Sequence, residues 1–425
     1  MFYETEDIVV LKGWVSAVRD LNKIIFLIVR EDGRYYQATL TEENEPNFSI
    51  ARSLKPEDVI VLRGKIKLNS DVINNFEITP LEIKILAHAE QPIPLNMNEK
   101  IDSTLDKQLD YRFLSLRKEK QHAIFKIEST VTYFINDFFQ KKGFVNFHSS
   151  KIVSQATEGG ANVFPIVYFD KTAYLAQSPQ FYKQMMVIAG YPKVFEIGPV
   201  FRAEPHHTTR HLCEYTSVDI EMGFIESYEE IMKIMEELMV KLLKFVHKKN
   251  KTELDILGAR AELQHYKFPR IPFKEAKKIL KEKYNKEIGD DIDPEGERML
   301  GEYVKNKYKS DFFFLTEFPW SAAQFYHMRK AGEEDVTYRA DLIYKGLEIT
   351  TLAQREHRYD VLVSQLKEKG LDPEKFSFYL DFFKYGAPPH GGGGTGLERI
   401  VKQMLDLQNI AEATLLPRTP ERVTP

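Results

Sequence analysis

A single cysteine, Cys213, stands among 425 residues. That scarcity excludes a disulfide framework and any structural zinc site built on cysteines. It leaves Cys213 itself as a small buried side chain rather than a nucleophile. No apolar run approaches the ~20 residues that a membrane-spanning helix needs. An excess of one charge is also missing: 59 lysines and arginines stand against 63 aspartates and glutamates, a formal net charge of −4. A polyanionic partner is therefore not announced by global charge and must meet local basic surface. The N-terminus, MFYETEDIVVLKGW, is acidic and passes straight into a strand pattern, unlike a secretory leader. The expectation is a cytoplasmic protein without membrane contact. Internal repeats and low-complexity tracts are absent. What remains, 43% hydrophobic and 29% charged residues, is globular composition, long enough for two or three domains.

Two stretches carry the chemistry. Residues 193–201 (KVFEIGPVF) are strand-like, and a second β-prone run brings its own acids, Asp219 and Glu221. The polar, His/Thr-rich segment between them predicts a strand–loop–strand hairpin. Arg202 and Arg210 flank its turn. Arginine keeps its charge and presents a rigid fork of donors, which suits phosphate and carboxylate. The plain alternative is a surface hairpin with solvated arginines, because exposed ion pairs are common and weak. The second stretch, residues 392–400 (GGGTGLERI), sets Arg399 at the start of an amphipathic helix predicted over 397–407. Glycine permits close approach of backbone to a ligand and positive φ; the plain alternative is a flexible loop. The spacing is neither the GxxxxGK(S/T) phosphate loop nor a Rossmann βα turn.

Together, FRAE–loop–RHL and the later GxGxGLER resemble motifs two and three of the class II aminoacyl-tRNA synthetases. The likeness extends to ATEGG (156–160), QSPQFYKQ (177–184), EITTLAQREHR (348–358), YGAPPHGG (385–392) and the closing LLPRTPERVTP, and there the chain resembles aspartyl-tRNA synthetases of the archaeal and eukaryotic type nearly end to end. The resemblance implies an α+β protein: an N-terminal OB-fold β-barrel, and a class II synthetase catalytic domain built on an antiparallel sheet flanked by helices. The expected division is a barrel over 1–90, a hinge over 91–120 and a catalytic domain over 121–425.

Five strand patterns, at 9–18, 24–29, 35–40, 59–66 and 75–86, suit such a barrel on their own terms, a fold that often binds single-stranded nucleic acid on its strand face. Trp14, Arg19, Phe26, Arg30, Arg34, Tyr35 and Tyr36 interleave rings with basic groups; most rings in a small barrel are core. By resemblance, Phe26 stacks on an anticodon base, while Arg19, Gln37 and Glu77 read base edges. Ser16 and Ile73 stand where strict and relaxed family members differ, and this chain matches neither pattern. A helix is predicted over 123–141. Residues 143–153 resemble motif one, the dimer-forming segment, with Ser150 where the family usually has proline.

In the catalytic half, resemblance assigns Glu158 and Asp219 to an amino-acid ammonium group, with Gln180, Lys183 and Arg355 around the aspartate side chain. Arg202 would bridge that substrate's carboxylate and the α-phosphate of ATP. Glu204, Arg210, His211, Leu212, Gly396, Leu397, Glu398 and Arg399 would complete the ATP site, with Arg210 and His211 on the outer phosphates. Glu348 and Thr351 match magnesium-ligand positions, and Mg²⁺ prefers oxygen ligands shared with phosphate. Arg202, Glu348 and Arg399 are the expected catalytic groups. Leu352 and Ala353 depart from the family's small residues, and Ala322–Gln324 from its usual basic residue and proline; Leu352, beside the amino-acid pocket, is expected to narrow or reshape it.

The implied reaction joins L-aspartate and ATP into an adenylate and transfers the acyl group to tRNA(Asp), with tRNA(Asn) as an open second acceptor. It needs positioning and charge neutralisation more than covalent help. An asparaginyl enzyme shares the scaffold, but Lys183 argues against it. A non-enzymatic RNA-binding paralogue is the third reading; retention of Arg202, Glu348 and Arg399 argues against that. A homodimer is implied by motif one.

Overall fold

The computed structural model describes residues 2–5, 8–72, 75–155, 162–205, 208–261 and 267–425. Glu158 and Ile73 lie outside the described residues. The chain forms two compact units, residues 1–123 (with Pro425) and 124–424.

The first unit contains strands β1 (Phe2–Thr5), β2 (Ile8–Asp20), β3 (Ile24–Glu31) and β4 (Arg34–Thr41), helix α1 (Asn47–Ser53), then β5 (Val59–Leu68) and β6 (Phe76–Ala87). The sheet order is β1-β2-β3-β4-β6-β5, and an additional β2–β5 pairing closes it into a barrel. The strand period of two sorts the side chains. In β3, Ile25, Leu27 and Val29 are fully buried, while Phe26 and Ile28 between them are half-buried on the other face. Phe48 and Ala51 of α1 join the same core. Five strands were legible in the sequence; β1 and α1 were not.

Residues 91–120, expected as a hinge, fold within this unit. They include the short helices α2 (Leu105–Asp110) and α3 (Arg112–Ser115). The Arg117 guanidinium donates to Glu57 at 2.8 Å. The Lys118 ammonium donates to the Asn98 and Ile101 carbonyls, both at 3.2 Å. A proline-containing polar stretch reads as linker, but buried charge contacts between distant positions leave no local signal.

The second unit takes most of α4 (Glu119–Lys141). It continues with β7 (Val145–Asn146), β8 (Ile152–Val153), β9 (Pro165–Tyr168), β10 (Lys171–Leu175), α5 (Gln180–Ile188), β11 (Lys193–Phe201) and β12 (Glu214–Gly223). Next come α6 (Glu229–Lys249), α7 (Lys251–Leu257), β13 (Arg270–Pro272), α8 (Phe273–Tyr284), α9 (Pro294–Tyr308), β14 (Phe312–Thr316), β15 (Arg329–Lys330) and β16 (Glu333–Thr337). The chain closes with β17 (Arg339–Tyr344), β18 (Leu347–Gln354), α10 (Tyr359–Glu368), α11 (Ser377–Lys384), β19 (His390–Gly396) and α12 (Leu397–Met404). An eight-stranded sheet runs β13-β14-β17-β18-β19-β12-β11-β7. Its pairings are antiparallel except at the two ends, where β13–β14 and β11–β7 are parallel.

The sheet has a greasy face and a charged face. In β12, Val218, Ile220 and Met222 enter the main core with α4, α6 and α12, while Ser217, Asp219 and Glu221 alternate onto the other face. The glycine run is not a loop. Residues 391–394 form the strand between β12 and β18. A Cβ at Gly392 would lie 2.0 Å from the Ile220 carbonyl oxygen and 2.3 Å from a Glu221 carboxylate oxygen. Glycine is used here for lack of room, not for positive φ, and the expectation on that point is corrected.

Candidate active site

The charged face of the sheet floors a cavity of about 380 Å³. It is lined by Gln180 and Lys183 from α5, by Asp219 from β12, by Glu348, Thr351 and Arg355 on or just after β18, and by Gly396, Glu398 and Arg399 where β19 meets α12. Arg202, Glu204, Arg210, His211 and Leu212 come from the β11–β12 connection. Every described position assigned to amino acid or ATP is thus brought together except one. Leu397 is 2% exposed and packs in the main core, because the first residue of α12 turns its side chain under the sheet. Leu352 is corrected likewise: it is fully buried in that core and does not narrow the cavity.

A β-bulge explains how Glu348 and Thr351 cooperate. Three residues apart on a regular strand, they would point to opposite faces. The register between β17 and β18 slips at Leu342–Ile343, which pair with Thr350 and Glu348, so Ile349 is the extra residue. Both side chains then face the cavity, and the Thr351 hydroxyl donates to Glu348 Oε1 at 2.8 Å. Arg399 donates from Nη1 to the Glu348 carbonyl at 2.8 Å and approaches its carboxylate at 3.4 Å. Packing alone would raise the Glu348 pKa, but the Arg399 charge, the Thr351 hydroxyl, Arg339 and Arg210 outweigh it and hold the group at about 2. Glu348 is a carboxylate throughout the physiological range. Behind it, burial raises Asp341 to about 7 despite its bond from Arg339 at 2.7 Å. Asp341 was not read from the sequence. The available signal was an acid in an apolar strand, paired in register with Thr351.

Four charges are buried at the opposite end. Lys183 donates to Asp219 Oδ1 at 2.8 Å and to the Gly393 carbonyl at 3.0 Å. Arg355 donates from Nε and Nη2 to Glu221 at 3.0 and 3.4 Å, and from Nη2 to the Gly392 carbonyl at 2.9 Å. The Lys183 and Arg355 end of the cavity is therefore not simply cationic: two cations face two carboxylates. Glu221, fully buried, had been noticed but given no role. Its signal was the i, i+2 spacing from Asp219 on one strand. What the cavity offers is directed donors. Lys183 has three N–H groups and spends two; Arg355 Nη1 has no partner among the described residues.

Gln180 is oriented from behind. His390 Nδ1 lies 2.8 Å from the Pro388 carbonyl, which can only accept, so that nitrogen carries the proton. Nε2 then accepts from the Gln184 amide at 2.9 Å, and Gln184 Oε1 accepts from Gln180 at 2.9 Å and from the Tyr379 hydroxyl at 3.1 Å. His211 lines the same cavity. Burial, with Arg399, Arg210 and Arg202 nearby, lowers its pKa to about 4, so it presents a neutral ring, 2.7 Å from the Thr208 hydroxyl.

In the barrel unit the four positions assigned to base reading gather on neighbouring strands. Arg19 pairs in register with Phe26, Phe26 with Thr39, and Gln37 with Ile28. Glu77 accepts from the Thr39 hydroxyl at 2.6 Å and meets Lys67 at 3.4 Å. Arg30 does not belong to that surface: it is 1% exposed and paired with Glu57 at 2.6 Å.

The chain matches the family of tRNA synthetases class II (D, K and N) over residues 104–420, and an OB-fold nucleic acid binding domain over residues 9–86. It is 47% identical over 418 residues to an aspartate–tRNA(Asp/Asn) ligase of Aeropyrum pernix, covering 97% of this chain and 94% of that one. It is 46% identical to an aspartate–tRNA(Asp) ligase of Thermococcus kodakarensis, with 97% and 95% covered. Among solved structures it resembles an asparaginyl-tRNA synthetase from Pyrococcus horikoshii complexed with asparaginyl-adenylate, at a TM-score of 0.91 and 32% identity, covering 98% of this chain and 96% of that one.

Proposed function

Because the chain belongs to the class II tRNA synthetases of the D, K and N group, we propose that it activates L-aspartate with ATP and esterifies it to the 3′ end of tRNA(Asp). It is an aminoacyl-tRNA ligase. The observation that carries the choice of amino acid is the pair of buried donors, Lys183 and Arg355, each already anchored by its own carboxylate. A side-chain carboxylate offers acceptor oxygens to both. An asparagine amide offers one oxygen, and its NH₂ would face a buried donor, a mismatch that such sites reject strongly.

The residues then act by position. Arg202, Arg210 and Arg399 converge on one cavity and suit a triphosphate, whose reacting phosphorus must be drawn close to the amino-acid carboxylate. As the bond from carboxylate oxygen to the α-phosphorus forms and the bond to pyrophosphate breaks, negative charge moves outward, toward groups that are already cationic and oriented. Magnesium fits the donor set: an ionised Glu348 and the Thr351 hydroxyl beside it are oxygen donors that would hold the ion together with phosphate and water oxygens. When bound it neutralises phosphate charge.

The barrel face with Arg19, Phe26, Gln37 and Glu77 supports reading of an unpaired anticodon loop, by stacking on Phe26 and edge contacts around it. Relatives named for tRNA(Asp) alone and for both tRNA(Asp) and tRNA(Asn) are nearly equally similar, at 46% and 47% identity. The reading includes a homodimer, supported by motif one: β7 lies at one end of the eight-stranded sheet with Val145 41% exposed. It also includes a cytoplasmic site of action, where tRNA is charged for translation. Among the described residues no helix is long and apolar enough to cross a membrane. The test is ATP–pyrophosphate exchange with each amino acid in turn. Aspartate is expected to drive exchange and asparagine to fail at the same concentration; exchange with asparagine alone would overturn the reading.

A further inference from the structure

Helix α9 carries no motif, yet it is seated against the ATP end of the cavity. A Cβ on Gly301 would lie 2.7 Å from Gly346 Cα, and one on Gly346 would lie 2.9 Å from Arg298 Cα. Gly346 has φ of 74° and closes the turn from β17 to β18. Two glycines thus let the helix rest directly on that turn. Glu297, one helical turn before Gly301, is carried to the start of β18.

Glu297 is 4% exposed, and both its oxygens are used. Oε1 accepts from Arg210 Nη2 at 2.9 Å. Oε2 accepts from the backbone N–H of Glu348 at 3.1 Å. One carboxylate therefore ties a cavity-lining guanidinium to the strand position that supplies the cavity's ionised acid. Arg210 Nε is buried and has no hydrogen-bond partner among the described residues, so the guanidinium keeps donor capacity after Glu297 is satisfied. Glu297 does not line the cavity and cannot itself touch a nucleotide there.

We propose that Glu297 is a positioning residue for the nucleotide: it fixes Arg210 and the Glu348 strand in one geometry, so that a triphosphate meets both already set. This rests on reading the cavity as an ATP site. The physical gain is entropic. A long arginine side chain loses rotamer freedom when a ligand orders it, and an anchor made on folding removes that cost from binding. The carboxylate also reaches the Glu348 amide, so loss of Glu297 loosens both partners of the phosphates together. A merely structural counter-ion would alter stability and leave nucleotide affinity alone.

The test measures MgATP dissociation constants by calorimetry, without amino acid, for the full chain and for Glu297→Gln, Glu297→Asp, Arg210→Ala and the Glu297→Gln/Arg210→Ala double variant, with an unfolding midpoint for each. Glu297→Gln keeps shape but offers one acceptor in place of two, and is expected to weaken MgATP about tenfold. Glu297→Asp keeps the charge but falls short of one partner, and is expected to lose about threefold. On the Arg210→Ala background, Glu297→Gln is expected to add less than about twofold, because the one remaining amide oxygen still accepts from the Glu348 N–H and only the tie to Arg210 is lost. Wild-type affinity in a folded Glu297→Gln would overturn the proposal, as would full additivity with Arg210→Ala. Should Glu297→Gln not fold, wild-type affinity in Glu297→Asp would overturn it equally. A wild-type chain that binds no MgATP would overturn the ATP reading itself, a result distinct from the others.

Discussion

The two units treat charge in opposite ways. On the barrel, Arg19 is exposed, Phe26 and Gln37 are half-buried, and Glu77 alone is buried, held by Thr39 and Lys67. In the catalytic unit Lys183, Asp219, Glu221 and Arg355 are all 3% exposed or less and paired with one another. The difference follows from what each must recognise. An unpaired loop of nucleic acid brings its own stacking faces and edges and can be met by groups at a surface. Activation of a carboxylate needs charges stripped of water and fixed in advance. The cost is that breaking one partner of such a pair leaves the other buried and alone.

The largest expected effect follows from that cost. Lys183→Met should lower aspartate-dependent pyrophosphate exchange by about 10³-fold, since the substrate carboxylate loses a buried, oriented charged donor, ~4 kcal/mol of recognition at such a site. A loss no larger than that of a surface lysine would erase the contrast between the units. Gly392→Ala should destabilise the catalytic unit by about 3 kcal/mol in denaturant unfolding, because the new Cβ meets the Ile220 carbonyl and Glu221.

A third prediction uses pH. Glu398 is buried with one oxygen accepting from the Thr216 N–H at 2.8 Å and the other without a hydrogen-bond partner among the described residues, and burial raises its pKa from 4.5 to about 7. A carboxyl whose folded pKa is raised contributes its stability below the unfolded value and loses it as pH rises through the folded one. Wild-type stability should therefore fall by about 2 kcal/mol relative to Glu398→Gln between pH 5 and 7.5. Parallel pH curves for the two proteins would contradict this. The smallest effect belongs to the barrel: Phe26→Ala should raise the KM for tRNA about tenfold through lost stacking, while tRNA-free exchange keeps its rate.

Legibility in the sequence divides along physical lines. Alternation exposed the barrel strands, and motif spacing exposed Arg202, Arg210 and Arg399, because those signals are local. The β19 glycines were visible but their reason was not: only a sheet places Ile220 and Glu221 against Gly392. The bulge at Ile349, which turns Glu348 and Thr351 to one face, has no sequence mark. Glu297 is one of two acids in the first turn of α9, and only the contact of Gly301 with Gly346 gives it a place. The mutual pairing of Lys183, Asp219, Glu221 and Arg355 likewise needed three strands and a helix assembled before the pocket's charge balance could be counted.

On the proposed reading, buried and mutually paired donors choose aspartate while a surface face chooses the tRNA. The decisive experiment charges purified tRNA(Asp) and tRNA(Asn) with labelled aspartate and, separately, labelled asparagine. The prediction is aspartate attached to tRNA(Asp) and asparagine attached to neither, whatever happens with aspartate on tRNA(Asn). Asparagine attached to either tRNA, or no charging by a chain that binds MgATP, would contradict it.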